Sequence, residues 1–400
     1  MAELSGAALG VLRWLLAAPV LAGSLFSFAC LAAMGRLKAQ ARRRPPPRAP
    51  HGSWPPVTLL RPVYGLSRDL LTNLRAACHQ DYPAYQVVFS AQRQDEPALP
   101  LMTAVQREMP PGLVDVAVDG DGRAPNGKVR NLLVGLAAAR HAVLVVSDSD
   151  VHLRPDYLKT IVAPLLDPAV GCSTTLYRAT GARRWFEGLE QLFINAEWLP
   201  QVVFAKVTGT SPFVLGASNA VLRPTLDDLG GMADLGNYLL EDFEMGRRVR
   251  AAGKRIEVVP YFVDMLVDLK GPLSWWQHQL YWDRNTRAGN AWGLFGTLFI
   301  RTVPFALAFA AARLFDPLSL AVLAGAVAVR LLTAGIFMGW GLGDRGGLRY
   351  LALLPFRDLA GFVSTLLALS RPTVVWSGAR FVVGPGGRMV PDDEVSACGR

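Results

Sequence analysis

Two pairs of carboxylates are spaced so that they can do chemistry. In Val143-Leu144-Val145-Val146-Ser147-Asp148-Ser149-Asp150 an apolar run leads straight into Asp148 and Asp150. Alternate residues of an extended segment point to the same side, so these carboxylates can converge on one small, hard cation such as Mg²⁺ or Mn²⁺. A cation shared with the phosphate oxygens of a nucleotide diphosphate stabilises that leaving group as its bond to a sugar breaks. A solvated turn that caps the next helix is the plainer alternative. The second pair, Glu241-Asp242, opens the amphipathic segment Glu241 to Ala252, where acidic groups suit the positive end of a helix dipole. A carboxylate there can take the proton of an attacking hydroxyl, the one proton transfer an inverting glycosyl transfer requires. Ordinary N-terminal capping would use the same residues.

The elements that must position these pairs are strands and helices in alternation. Apolar, β-branched runs predict strands over Pro56 to Val63, Tyr85 to Ala91, Leu113 to Val118, Ala142 to Ser147, Gly171 to Tyr177 and Arg255 to Val263. Helical periodicity predicts Ser67 to His79, Ala98 to Glu108, Lys128 to His141, Pro155 to Leu166, Trp185 to Lys206 and Glu241 to Ala252. The order implies an α/β domain with a mixed, mostly parallel sheet and helices on both faces, and ligands bind such sheets beyond the C-terminal ends of the strands.

Outside this domain the chain is unlike a water-soluble one. Half of its 400 residues are hydrophobic (51%) and only 18% are charged, against nearly a quarter in soluble domains, so part of it faces something other than water. Disorder, a collagen repeat and a disulfide scaffold are excluded. The four cysteines, Cys30, Cys78, Cys172 and Cys398, show no CxxC spacing, which argues against zinc and fits a reducing compartment. Trp14 to Met34 carries no charge and is long enough to cross a hydrocarbon core of roughly 30 Å. A cleavable signal peptide with Arg13 in its n-region is the competing reading. The arm from Gly35 to Pro50 then holds Arg36, Lys38, Arg42, Arg43, Arg44 and Arg48 and no acid. Without it, 35 basic residues face 32 acidic ones, so the net charge of +9 is chiefly a juxtamembrane cluster of the kind found on cytoplasmic flanks. Nucleic acid is therefore not an expected partner. Three further apolar stretches, Ala291 to Ala312, Leu318 to Leu342 and Leu351 to Ser370, are each about a span long, with interfacial or re-entrant segments as the alternative for the first and third. Arg301, Arg330 and the pair Arg357-Asp358 should face a bundle interior, interface or cavity. The helix-like run from Trp275 to Arg287 suits headgroup depth, or its aromatics pack in a core.

The chain also carries a resemblance. Val57-Thr58-Leu59-Leu60-Arg61-Pro62-Val63-Tyr64-Gly65, Asn73-Leu74, Gln80-Asp81-Tyr82-Pro83, Asn126-Gly127-Lys128-Val129 with Asn131-Leu132, and Ser147-Asp148-Ser149-Asp150 resemble the ceramide glucosyltransferase family. Leu192-Phe193-Ile194-Asn195, Leu199-Pro200, Gly216-Ala217-Ser218, Gly230-Gly231 and Glu241-Asp242 are similar to its bacterial, hopanoid-type branch. The resemblance implies a GT-A fold, a UDP-sugar donor, a membrane-lipid acceptor such as ceramide or a hopanoid, and inversion at the anomeric carbon. It implies an integral protein of a bacterial inner membrane with its catalytic domain on the cytoplasmic side. By the same resemblance Asp242, with Glu241 beside it, is the general base, and Asp148 and Asp150 serve the metal. Arg61, Pro62, Lys128, Asp148, His278 and Trp282 serve the donor. Tyr281 stands where the family has arginine, with Arg284 as a substitute one turn on; Arg93 stands where it has an aspartate, with Asp95 as the substitute. The expected organisation is a membrane helix over 1–35, a basic linker over 36–53, a catalytic domain over 54–271, an interfacial helix over 272–290, about three membrane helices over 291–371 and a tail over 372–400. A processive polysaccharide synthase and a non-catalytic nucleotide- or lipid-binding membrane protein are the competing functions.

Overall fold

The computed structural model describes residues 2–49, 53–118, 124–210, 213–370, 373–376 and 379–391. Pro50, Cys398 and parts of the expected linker and tail lie outside them. The described residues fall into two units, one drawn from 1–39, 180–210 and 269–372 and the other from 40–179, 211–268 and 373–400.

In the second unit the strands are β1 (Val57–Pro62), β2 (Tyr85–Ala91), β3 (Val114–Val118), β4 (Val143–Ser147), β5 (Val151–His152), β6 (Val170–Thr180), β7 (Ser218–Leu222) and β8 (Arg255–Leu266). They form a sheet in the order β3-β2-β1-β4-β7-β6-β8-β5. β1 pairs in parallel with β2 and β4, and β2 with β3. Every residue of β1 and β4 is buried, as strands covered on both faces require. Leu60, Val88, Leu144 and Val146 pack against Val129 and Leu132 of the helix Gly127–Ala137, each contributing on the order of 1.5–3 kcal/mol of burial.

The parallel strands end together. Pro62 pairs with Ser90 and Leu60 with Val146, so the chain leaves β1, β2 and β4 at one edge. β7, which the apolar pattern does not predict, joins β4 antiparallel with Ser147 opposite Ser218. That register sets Gly216 and Ala217 beside the loop that begins at Asp148. The result is the mixed sheet of a GT-A-type fold.

A second addition comes from the chain end, expected only as a tail. β9 (Thr373–Trp376), β10 (Ala379–Val383) and β11 (Met389–Pro391) form an antiparallel sheet. Leu239 donates its N–H to the Gly387 carbonyl at 3.0 Å, and Met389 donates to Asn237 at 2.8 Å. The segment just before Glu241 is thereby braced from both sides.

The first unit is helical. Gly10–Arg43, Pro317–Leu342 and Gly347–Ser370 are each long and apolar enough to cross a membrane, and Pro272–Ile300 with Thr302–Ala312 forms a fourth such element if the pair, bent by 56°, is counted as one. Within Pro272–Ile300 the helix breaks at Asn290, whose Oδ1 accepts the Gly293 N–H at 2.8 Å as an N-cap does. Arg301, Arg330, Arg357 and Asp358 are all buried, as charges in apolar helices must be. They surround Glu197, which lies in the π-helical turn Ile194–Trp198. Arg301 Nη2 stands 2.7 Å and Arg357 Nη1 3.3 Å from that carboxylate, and Arg330 Nε pairs with Asp358 at 2.9 Å.

Candidate functional site

The two carboxylate pairs meet at the strand-end edge of the second unit, and Lys128 stands between them. Its Nζ lies 2.9 Å from Asp148 Oδ1 and 3.2 Å from Glu241 Oε1, and donates to the Gly216 carbonyl at 2.9 Å. Lys128 is the second residue of the 127–137 helix. Asn126 caps that helix, its Oδ1 accepting the N–H groups of Lys128 and Val129 at 3.0 and 3.3 Å. The Asn126 Nδ2 in turn donates to the Tyr238 carbonyl at 3.0 Å and to Glu241 Oε2 at 3.1 Å. One buried side chain thus fixes both the start of one helix and the approach to the other. Asn126 precedes a helical run in the manner of an N-cap, a signal the sequence carries.

The loop that bears Asp148 and Asp150 is held from below by Arg61. This side chain is fully buried, and its guanidinium donates to Ser147 Oγ at 3.1 Å and to the Val151 carbonyl at 3.0 Å. Pro62 is likewise buried, paired with Ser90 in the sheet. Both shape the loop from inside. The Asp148 N–H donates to the Ala217 carbonyl at 3.1 Å and the Val151 N–H to the Asp148 carbonyl at 3.1 Å, closing a turn.

Electrostatics divide the four carboxyls. Burial, and then the charge of Asp148, push the Asp150 carboxyl up against the pull of Arg61 and Lys128. Burial and then Glu241 push Asp242 up to about 7, opposed by Lys128 and by the N–H groups of Phe243 and Gly216. For Lys128, burial works against the charge, but Asp148, Glu241 and Asp242 outweigh it and hold the ammonium well above the ordinary lysine range. Asp150 Oδ1 is buried and accepts no hydrogen bond. Among the described residues no three His, Cys, Asp or Glu side chains form a cage for a metal. Two hard carboxylates with one open oxygen therefore fit a divalent cation that arrives with oxygen ligands of its own.

Gly216 is packed closely against the Asp242 carboxylate. A Cβ there would come within 2.9 Å of Asp242 Oδ2 and 3.3 Å of Lys128 Nζ. We expect Gly216→Ala to lower kcat by about 10²-fold by displacing the carboxylate, while thermal melting of the purified chain moves little. An unchanged kcat would show that Asp242 is free to shift.

Of the remaining expected residues, Asp95 belongs to the second unit. Asp95 is exposed and paired to Arg93, Nε to Oδ1 at 2.6 Å, so one departure from the family pattern and its expected substitute neutralise each other at the surface. His278, Trp282 and Arg284 belong to the first unit. There His278 Nδ1 lies 3.0 Å from Glu190, and Trp282 packs on Phe193 and Trp198 with ring centroids 5.8 and 6.3 Å away.

Comparison with known proteins gives this geometry a family. Ceramide glucosyltransferase 1 of Caenorhabditis elegans is 23% identical over 205 residues, 51% of this chain and 44% of that protein. Ceramide glucosyltransferase 3 of the same organism is 22% identical over 202 residues, 50% and 44% of the two chains. The chain thus spans less than half the length of the curated relatives it matches. Among solved structures, the mannosyltransferase PcManGT from Pyrobaculum calidifontis in complex with GDP-Man and Mn²⁺ is 22% identical and superposes with a TM-score of 0.46, covering 88% of this chain and 99% of that one. The family model described as glycosyl transferase family 21 matches residues 20–389, nearly the whole chain, and the protein belongs to that family of glycosyltransferases.

Proposed function

We propose that the protein is a membrane-embedded, inverting glycosyltransferase that moves one hexose, glucose or N-acetylglucosamine, from a UDP-sugar to the hydroxyl of a membrane lipid such as ceramide or a hopanoid. The observation that carries this reading is Asp242, a carboxyl raised to about 7 beside Glu241, whose own carboxylate is joined through Lys128 to Asp148. A base poised near neutral pH suits removal of a proton from an alcohol. The names of the relatives support a sugar donor and a lipid acceptor, the apolar helices support a membrane setting, and the basic arm beside the first of them supports carboxylates on the cytoplasmic side.

In the reaction, the acceptor oxygen attacks the anomeric carbon as the bond from that carbon to the diphosphate oxygen breaks. The hydroxyl proton passes to Asp242. Asp148 and Asp150 would hold a divalent cation, which would supply neutralisation of the departing diphosphate. Arg61 keeps the loop of these two aspartates in one conformation, and Asn126 holds the start of the helix that bears Asp242 through Glu241 and the Tyr238 carbonyl. His278, Trp282 and Arg284 are proposed to serve the donor as the family resemblance implies.

The test is a transfer assay on the full chain in detergent, with labelled UDP-glucose or UDP-N-acetylglucosamine, Mg²⁺ or Mn²⁺, and ceramide or a hopanoid polyol. A lipid bearing a single sugar is expected. A polymer would make the protein a processive synthase, and no transfer or donor hydrolysis in any combination would overturn the proposal.

A further inference from the structure

We propose that Lys128 is a built-in stand-in for the divalent cation: its ammonium occupies Asp148 while the donor is absent and is displaced when the metal and diphosphate arrive. This rests on the reading of Asp148 and Asp150 as the metal-binding pair. Three features of the site carry it.

The first is position. Lys128 Nζ sits 2.9 Å from Asp148 Oδ1, an oxygen that a cation shared with Asp150 would need, while Asp150 Oδ1 accepts no hydrogen bond. Ammonium and metal therefore compete for Asp148 directly. The second is charge. Asp148, Asp150, Glu241 and Asp242 converge on one edge with Lys128 and the buried Arg61 as the cations that act on them. Without an internal cation, the two pairs would repel each other in the absence of a donor. The third is freedom to move. Lys128 has two other partners, the Gly216 carbonyl at 2.9 Å and Glu241 Oε1 at 3.2 Å, and its side chain is 21% exposed, so loss of Asp148 does not strand its charge. Arg61 cannot play this part, because it is fully buried under the loop and fixed to Ser147 and the Val151 carbonyl.

One consequence is that metal alone binds weakly, since the ammonium it displaces gives up Asp148 and gains no new anion in exchange. Metal with nucleoside diphosphate binds well, because the diphosphate offers the released ammonium a new anion. Lys128 would thus make cation and donor arrive together and act as a positioning residue, without touching the reacting atoms.

The experiment measures Mn²⁺ binding to the full chain in detergent by the EPR signal of free Mn²⁺, with and without UDP. Lys128→Met is expected to bind Mn²⁺ alone about tenfold more tightly than the unsubstituted chain, and to lose most of the gain in affinity that UDP confers. Lys128→Arg, which keeps the charge, should bind Mn²⁺ alone as the unsubstituted chain does. Lys128→Gln serves as a second neutral variant if the methionine variant does not fold, as judged by thermal melting. Neutral variants that melt normally and bind Mn²⁺ alone no more tightly would overturn the inference. Failure of the unsubstituted chain to bind Mn²⁺ with UDP would instead remove the donor site on which it rests.

Discussion

Asp242→Asn is expected to lower kcat by about 10²- to 10⁴-fold while UDP binding in the presence of Mn²⁺ stays within a few-fold of normal. The asparagine keeps the shape of the side chain and removes only the ability to accept a proton. Because the carboxyl is raised to about 7 by burial and by Glu241, kcat should fall as pH drops through about 7, and this limb should vanish in the variant. The sign for stability is opposite to that for activity. A carboxyl whose folded pKa lies above its unfolded value of about 3.9 favours folding fully below the unfolded value and loses that contribution as pH rises through the folded one. At pH 8, then, Asp242 is ionised at a cost to the fold, and the asparagine variant should melt no lower than the parent and somewhat higher. A variant both inactive and markedly unstable at pH 8 would point to a structural carboxylate. Retained activity would remove Asp242 from the mechanism.

Much of the scaffold around this residue is legible in the sequence, for reasons that differ by element. Tyr85–Ala91 is a seven-residue run of apolar and β-branched character, and the strand has those bounds. The Glu241 helix is legible because its acidic first turn and basic last turn match the dipole. Ser218–Leu222 is not, since a five-residue segment beginning Ser-Asn offers too short a pattern and pairs with strands far away in the chain. The DxD loop is visible as residues, but its support by Arg61 is not, because a charged residue inside an all-buried strand reads as a ligand contact until its partners are known. Gly216 is marked in the sequence only as part of the family-like Gly216-Ala217-Ser218, with nothing to say what it approaches. Its importance lies in the 2.9 Å approach to a carboxylate 26 positions later, a distance only the fold creates. In the first unit the positions of Arg301, Arg330 and Arg357 announce buried charges, but the anion that answers them, Glu197, sits in a helix that reads as ordinary core.

That anion carries the largest stability effect we expect. Glu197 is buried and, among the described residues, is the one carboxylate within 4 Å of all three arginines, at 2.7 Å from Arg301, 3.3 Å from Arg357 and 3.9 Å from Arg330. Arg301 and Arg330 have further support, from Thr365 Oγ1 at 2.6 Å and from Asp358 at 2.9 Å. Arg357 has less: none of its guanidinium nitrogens makes a hydrogen bond, it packs on the face of Phe193, 4.7 Å away, and besides Glu197 it feels only the more distant charges of Asp283 and Asp358. Glu197→Gln therefore leaves a buried guanidinium without its near counter-charge, which costs about 3–5 kcal/mol. The expected result is a large fall in the unfolding midpoint of the purified chain in detergent, with little folded protein recovered at growth temperature. The double variant Glu197→Gln/Arg357→Met removes both members of the least supported pair and leaves Arg301 near Asp283 and Arg330 on Asp358. It should recover a substantial part of the loss, because an apolar side chain beside Phe193 needs no counter-charge. If the single variant melts like the parent, the cluster is solvated or protonated in a way that its geometry does not suggest. If the double variant is worse than the single one, Arg357 holds the helices together by packing and not by charge.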